Sequence, residues 1–148
     1  MASSLSDLQH ATGAQHAPRT QPLVLVTDDN EDTRFLLSAI LKLSGCAVVE
    51  ALDGEEAVRL AESAGPDLIL MDASLPRVDG LAATRRIRQM GQTGRVPIVF
   101  VSGHAEPTFR VVAREAGCDE YLVKPLDMEQ LGSVLQKYLG RNARGIAT

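Results

Sequence analysis

The chain has 148 residues, 45% hydrophobic but only 3% aromatic, with a net charge of −4; that is enough for one domain built on an aliphatic core. The acidic balance gives no general attraction to nucleic acid or to an anionic membrane. No apolar run approaches the roughly 20 residues that span a bilayer, and the start lacks the basic-then-apolar order of a secretory leader.

Residues 1–21 are polar and small, without apolar periodicity, and are expected to form a disordered extension in which His10 and His16 are incidental. "LVLVT" (Leu23–Thr27) is the first expected strand. The helix after it carries Leu36, Leu37, Ile40 and Leu41 and stops at Gly45. "AVVEA" (Ala47–Ala51) is the second strand, followed by a helix with a stripe of Ala57, Leu60, Ala61 and Ala64 that ends at Gly65-Pro66. "DLILM" (Asp67–Met71) precedes a helix with Gly80, Ala83, Ile87 and Met90 on one face. "PIVFV" (Pro97–Val101) precedes one with Phe109, Val112, Ala113 and Ala116, stopped by Gly117. "EYLV" (Glu120–Val123) leads into Leu131, Val134, Leu135 and Tyr138, and residues 141–148 form an unstructured tail. Cys46 and Cys118 are far apart with no histidine cluster nearby, which fits small buried thiols better than a disulfide or a zinc site.

Five repeats of strand then helix, several strands being almost unbroken Val, Ile and Leu, predict a parallel sheet covered on both faces: an open, doubly wound α/β domain over residues 22–140. In such a sheet ligands sit beyond the carboxyl ends of the strands. Asp28 and Asp29 follow the first strand, Asp72 the third, Ser102 the fourth, and Lys124-Pro125 the fifth; the "LDG" after the second adds little. Three carboxylates this close raise one another's pKa unless a cation joins them. Oxygen-only ligands call for a hard divalent ion, Mg²⁺ or Mn²⁺. Glu31 and Asp32 instead suit a helix N-terminus. A carboxylate beside such an ion, with a hydroxyl and a fixed ammonium at hand, is a good acceptor for a phosphoryl group.

The stretches "VTDDNEDTR", "LILMDASLPRVDG", "IVFVSGHA" and "GCDEYLVKPL" occur in that order, each at the matching strand. Together they resemble a response-regulator receiver domain of the single-domain CheY-like kind, over about Leu23 to Leu139. The resemblance implies a flavodoxin-like (βα)5 fold with strand order 2-1-3-4-5. It makes Asp72 the phosphoacceptor, and Asp29, Asp72 and the main-chain carbonyl of Ser74 direct Mg²⁺ ligands, with Asp28 acting through water. Lys124 becomes the phosphate-pairing lysine, before a cis proline bond. Ser102 is the switch hydroxyl and Tyr121 the switch aromatic, turning inward once Ser102 moves to the phosphate. Ser74 and His104 resemble the pair that tunes phosphoryl lifetime. Thr27, where Val or Ile is usual, is a minor departure, and Gly103 stands where Ala is common.

By the same resemblance the donor is a sensor histidine kinase or a histidine phosphotransfer protein in the cytoplasm. The output is contact with a downstream protein, with no direct nucleic-acid binding and no membrane insertion. Two other readings stand beside this one: a receiver-shaped binding module that is never phosphorylated, and a Mg²⁺-dependent aspartyl phosphatase. The phosphatase is disfavoured because Ser74 stands where that chemistry wants a second Asp. Arg77, Arg85, Arg86, Arg88 and Arg95 are expected to form a solvated basic face. Val111, between Arg110 and Arg114, is expected to be exposed and to belong with Tyr121 to a partner surface.

Overall fold

The computed structural model describes residues 20–140. The expected segments at 1–21 and 141–148 lie outside these residues, apart from Thr20 and Gln21. The elements alternate as β1 (Leu23–Thr27), α1 (Glu31–Leu43), β2 (Ala47–Ala51), α2 (Gly54–Ala64), β3 (Leu68–Met71), α3 (Gly80–Arg88), β4 (Ile98–Ser102), α4 (Pro107–Ala116), β5 (Glu120–Val123) and α5 (Met128–Leu139), with one 3₁₀ turn at Thr93–Arg95. The strands form one parallel sheet in the order β2-β1-β3-β4-β5, as expected from the resemblance.

Alternation along each strand decides which face a side chain joins. Val24, Val26, Leu68, Leu70, Val99, Val101 and Leu122 point to one side, where they meet Leu37, Ile40 and Leu41 of α1 and Leu131, Val134 and Leu135 of α5. Leu25, Ile69, Met71, Ile98 and Phe100 point to the other, against Ala57 and Ala61 of α2, Ala83 and Ile87 of α3, and Ala113 of α4. Each fully buried Leu, Ile or Phe contributes about 1.5–3 kcal/mol by leaving water.

The helices start where side chains can cap them. Asn30 accepts the Thr33 amide, Asp53 that of Glu56, Asp79 that of Ala82, and Asp127 that of Glu129. Glu31 and Asp32 stand in the first turn of α1, as expected. Gly65 and Gly117 end α2 and α4 in left-handed conformation.

Three expectations are corrected. Leu36 stands 57% exposed and Val112 38% exposed, both outside the buried stripes. In α1 the inward arc is Arg34, Leu37, Ser38, Ile40 and Leu41, because two polar side chains take places that hydropathy assigns to Leu36. Arg88 does not belong to a solvated face. Its guanidinium donates to the carbonyls of Gly94, Val96 and Gly117 and pairs with Asp119 at 2.8 Å, tying the end of α3 to the chain entering β4 and β5. Arg77 is exposed as expected, 3.5 Å from the likewise exposed Glu55, and so are Arg85, Arg86 and Arg95.

Candidate functional site

The carboxyl ends of β1, β3 and β5 bring three acids and one lysine together. Oxygens of Asp28, Asp29 and Asp72 lie within 4.8 Å of one another. Lys124 Nζ donates to Asp28 Oδ2 at 3.0 Å and to Asp72 Oδ2 at 3.2 Å. Asp28 and Asp72 are buried, Asp29 is exposed, and the lysine side chain is 30% exposed. Lys124 leaves β5 through a cis bond to Pro125. Its main-chain N–H donates to the carbonyl of Ser102 at 2.8 Å, which anchors the lysine to β4.

Each carboxylate is aimed by its surroundings. Asp28 Oδ1 accepts the amide of Asn30 at 2.9 Å, and Asp72 Oδ1 accepts that of Ser74 at 3.0 Å. Asp72 sits at the end of a strand whose four residues are all buried, so its carboxyl is partly stripped of water. That burial pushes its pKa up, against the Ser74 amide and the Lys124 charge, which pull it down, and with the Asp28 charge adding to the rise. For Lys124, burial works to lower the pKa, but the hydrogen bond to Asp28 and the charges of Asp72 and Asp28 outweigh it and hold the ammonium above its ordinary value. The lysine is therefore a permanent cation between two acids.

Ser102 is fully buried, and its hydroxyl accepts the amide of His104 at 3.2 Å. Tyr121 is half-buried, its ring edge-on to Phe109 at 6.0 Å with the Arg110 guanidinium 5.2 Å from its centroid. Its hydroxyl already donates to the main-chain carbonyl of His104 at 2.7 Å. The His104 ring stacks on Phe109 at 4.6 Å, and its Nε2 is 3.4 Å from Ser74 Oγ. The two residues matched to the lifetime-tuning pair are thus in contact, and one residue, His104, joins Ser102, Tyr121 and Ser74. Val111 is 58% exposed, as expected.

Several supporting residues escaped the reading of the sequence. Thr27 is more than a minor departure: its buried hydroxyl donates to the Leu70 carbonyl at 3.1 Å and accepts the Asp72 amide at 3.3 Å. A hydroxyl-bearing residue ending an otherwise apolar strand was the available signal. The "LDG" loop also matters. Asp53 caps α2, and Gly54 lies so close to the Val78 carbonyl that a Cβ would collide with it. Arg77, in the same β3–α3 loop, has φ 69°, a left-handed backbone uncommon for a residue with a side chain.

An open parallel sheet with an acidic triad and a lysine at its carboxyl edge defines a class: the receiver modules of phosphotransfer signalling. The family "Response regulator receiver domain" matches residues 24–136, and the chain belongs to it. The chain is 38% identical over 122 residues to the transcriptional regulatory protein PrrA of Mycobacterium tuberculosis, covering 82% of this chain and 52% of that one. It is 44% identical over 119 residues to the two-component response regulator ORR41 of Oryza sativa subsp. japonica, covering 78% and 92%. Among solved structures, the receiver domain of a sensor histidine kinase from Pseudomonas aeruginosa PAO1 matches with a TM-score of 0.76 and 36% identity, over 82% of this chain and 99% of that one. That neighbour holds a magnesium ion in its active-site cleft. The chain spans about half the length of PrrA and of several other curated relatives it matches. It carries a two-component signalling module, and receiver domains are phosphoacceptors rather than enzymes of the ordinary kind. No helix among the described residues is long and apolar enough to cross a membrane.

Proposed function

We propose that residues 22–140 act as a phosphorylatable switch in which Asp72 receives a phosphoryl group from a phosphohistidine. The observation that carries this reading is Lys124 Nζ, bonded at once to Asp28 and Asp72 with Asp29 alongside. The donor set suits a hard divalent cation: oxygens only, three of them close together, on a rim with one exposed and two buried acids. Asp29, Asp72 and the Ser74 carbonyl would hold Mg²⁺ (or Mn²⁺) directly, with Asp28 acting through water. When bound, the ion supplies positive charge for the equatorial oxygens of the transferring group.

The protein's own groups do the rest. A carboxylate oxygen of Asp72 attacks phosphorus in line, the P–N bond to the donor imidazole breaks, and the ring nitrogen keeps the bonding pair and takes a proton. Lys124 then leaves its bond to Asp72 for a phosphoryl oxygen while keeping Asp28. Ser102 offers its hydroxyl to another phosphoryl oxygen, which shifts His104 and, through the His104 carbonyl, the tether of Tyr121. Ser74 and His104, in contact beside the acceptor, govern the approach of the water that later hydrolyses the acyl phosphate, a step the domain assists itself.

The partners of this reading are a sensor histidine kinase or a histidine phosphotransfer protein as donor and a protein target for output, in a cytoplasmic setting. The face bearing Val111, Arg110 and Tyr121 is the contact surface. Intact-mass spectrometry after incubation with acetyl phosphate tests the acceptor. A single Mg²⁺-dependent phosphoryl adduct is expected on the wild type and none on Asp72→Asn. An adduct of equal yield on the variant would refute the assignment, and no adduct with either acetyl phosphate or a phosphorylated histidine donor would favour a module that is never phosphorylated.

A further inference from the structure

Asp28 is held at four points. Its main-chain N–H donates to the Ala51 carbonyl, and its two carboxylate oxygens accept from Asn30 and Lys124. The fourth hold comes from outside the acidic cluster: Arg34 Nη1 donates to the Asp28 main-chain carbonyl at 2.8 Å. Asp29 is different. Among the described residues none makes a hydrogen bond or ion pair with its carboxylate, and it is exposed. Its direction is therefore set by the backbone that carries it, and the peptide group entering Asp29 is the one whose carbonyl Arg34 holds.

Arg34 is itself fixed. Its side chain is 10% exposed, and its Nε lies 3.2 Å from Glu50 Oε1 on the edge strand β2. Glu50 Oε2 in turn accepts the hydroxyl of the buried Ser38 at 3.1 Å. A planar guanidinium can donate in two fixed directions at once, to a carbonyl and to a carboxylate, which a lysine ammonium cannot reproduce from one rigid plane. This also explains why Arg34 and Ser38 displace Leu36 from the inward arc of α1. A positive charge this close to a cation site would weaken cation binding by repulsion, and the Glu50 carboxylate offsets it.

The geometry points to Arg34 as a positioning residue for the metal-binding arm: with Glu50 and Ser38 behind it, it locks the Asp28–Asp29 peptide so that Asp29 faces the ion. This rests on the reading of the acidic triad as a Mg²⁺ site. Charge and geometry predict opposite signs. If Arg34 acted only by charge, its removal would tighten Mg²⁺ binding. If it positions, removal weakens binding, on the order of 10-fold, as is usual when a residue supporting a metal ligand is lost.

The test is calorimetric titration of the full chain with Mg²⁺ alone, for wild type, Arg34→Met and Arg34→Lys, each checked for folding by circular dichroism, with the Asp29 amide resonance followed by NMR. Arg34→Met is expected to bind about 10-fold more weakly and to move the Asp29 amide signal. Arg34→Lys keeps the charge and should recover part of the affinity, and it carries the test alone if Arg34→Met does not fold. Affinity equal to or tighter than wild type in a folded variant overturns the inference and leaves the metal site standing. A wild type that binds no Mg²⁺ removes the site, and the inference with it.

Discussion

Gly80→Ala tests how closely the start of α3 approaches Asp72 at the end of β3. A Cβ at position 80 would press on the carbonyl oxygen of Asp72, with Ala73 Cα at 2.8 Å and the Asp72 carbonyl carbon at 3.0 Å. All three are main-chain atoms, which cannot swing aside as a flexible side chain would. Overpacking a tight site costs about 1–3 kcal/mol, and the upper end applies where backbone must move. Replacing Gly by Ala in a helix returns at most about 1 kcal/mol. The net loss is about 2 kcal/mol, and at roughly 4 °C per kcal/mol for a domain of this size the thermal midpoint falls by about 8 °C. Thermal unfolding of metal-free protein by circular dichroism measures it. Because the displaced carbonyl belongs to Asp72, acetyl phosphate labelling should slow as well. Gly103→Ala is the control, since nothing lies within 4 Å of a Cβ there; its midpoint should move by no more than about 0.5 kcal/mol worth. An unchanged midpoint for Gly80→Ala would mean that the helix does not press on the main chain of Asp72, and the reasoning fails.

Asp72→Asn should stabilise the metal-free protein at neutral pH. Burial raises the Asp72 pKa in the folded state, so the native protein holds that proton more tightly than the unfolded chain and loses stability as pH rises from the ordinary value of 3.8 through the raised one; the gain from Asn should vanish below that window, and urea midpoints across pH that show no such convergence would contradict it. Thr27→Val removes the hydroxyl that serves the Leu70 carbonyl and the Asp72 amide. A loss of about 1 kcal/mol is expected in urea unfolding, because the Asp72 amide keeps the Thr27 carbonyl. Thr84 Oγ1 is buried with no hydrogen-bond partner among the described residues. Thr84→Val should therefore raise stability by about 1 kcal/mol, and a loss instead would show that the hydroxyl is satisfied.

The parts of the molecule legible in its sequence are those where a single physical demand writes the residues. Strands buried on both faces must be apolar, and β3 and β4 read as runs of Leu, Ile and Val broken only by Met71, Phe100 and the terminal Ser102 for that reason. Side chains that meet at a rim must follow their strands, which put Asp28, Asp29, Asp72, Ser102 and Lys124 on view. What stayed hidden serves two demands at once. Leu36 looks as apolar as Leu37, but Arg34 and Ser38 claim the inward arc to hold the Asp28 carbonyl and Glu50. Arg88 looks like its neighbours Arg85 and Arg86 and differs only in what a crossing loop presents to it: three carbonyls and Asp119. Charge along a chain does not say which carbonyls will be left without a partner.

The reach of Lys124 has a consequence for how the domain comes together. Its ammonium meets Asp28, 96 positions earlier in the chain, and Asp72, 52 positions earlier. β5 is an edge strand paired only with β4, so the lysine arrives from beyond an intervening strand. Two acids on neighbouring strands can meet as soon as β1 and β3 pair, but they stay mutually repelling until the far edge closes. Contacts between residues so far apart in sequence are slow to form, because chain-closure entropy must be met before they are rewarded. The charge balance of the rim is therefore a property of the complete sheet: without β5 the oxygens of Asp28, Asp29 and Asp72 would stand together with no lysine between them.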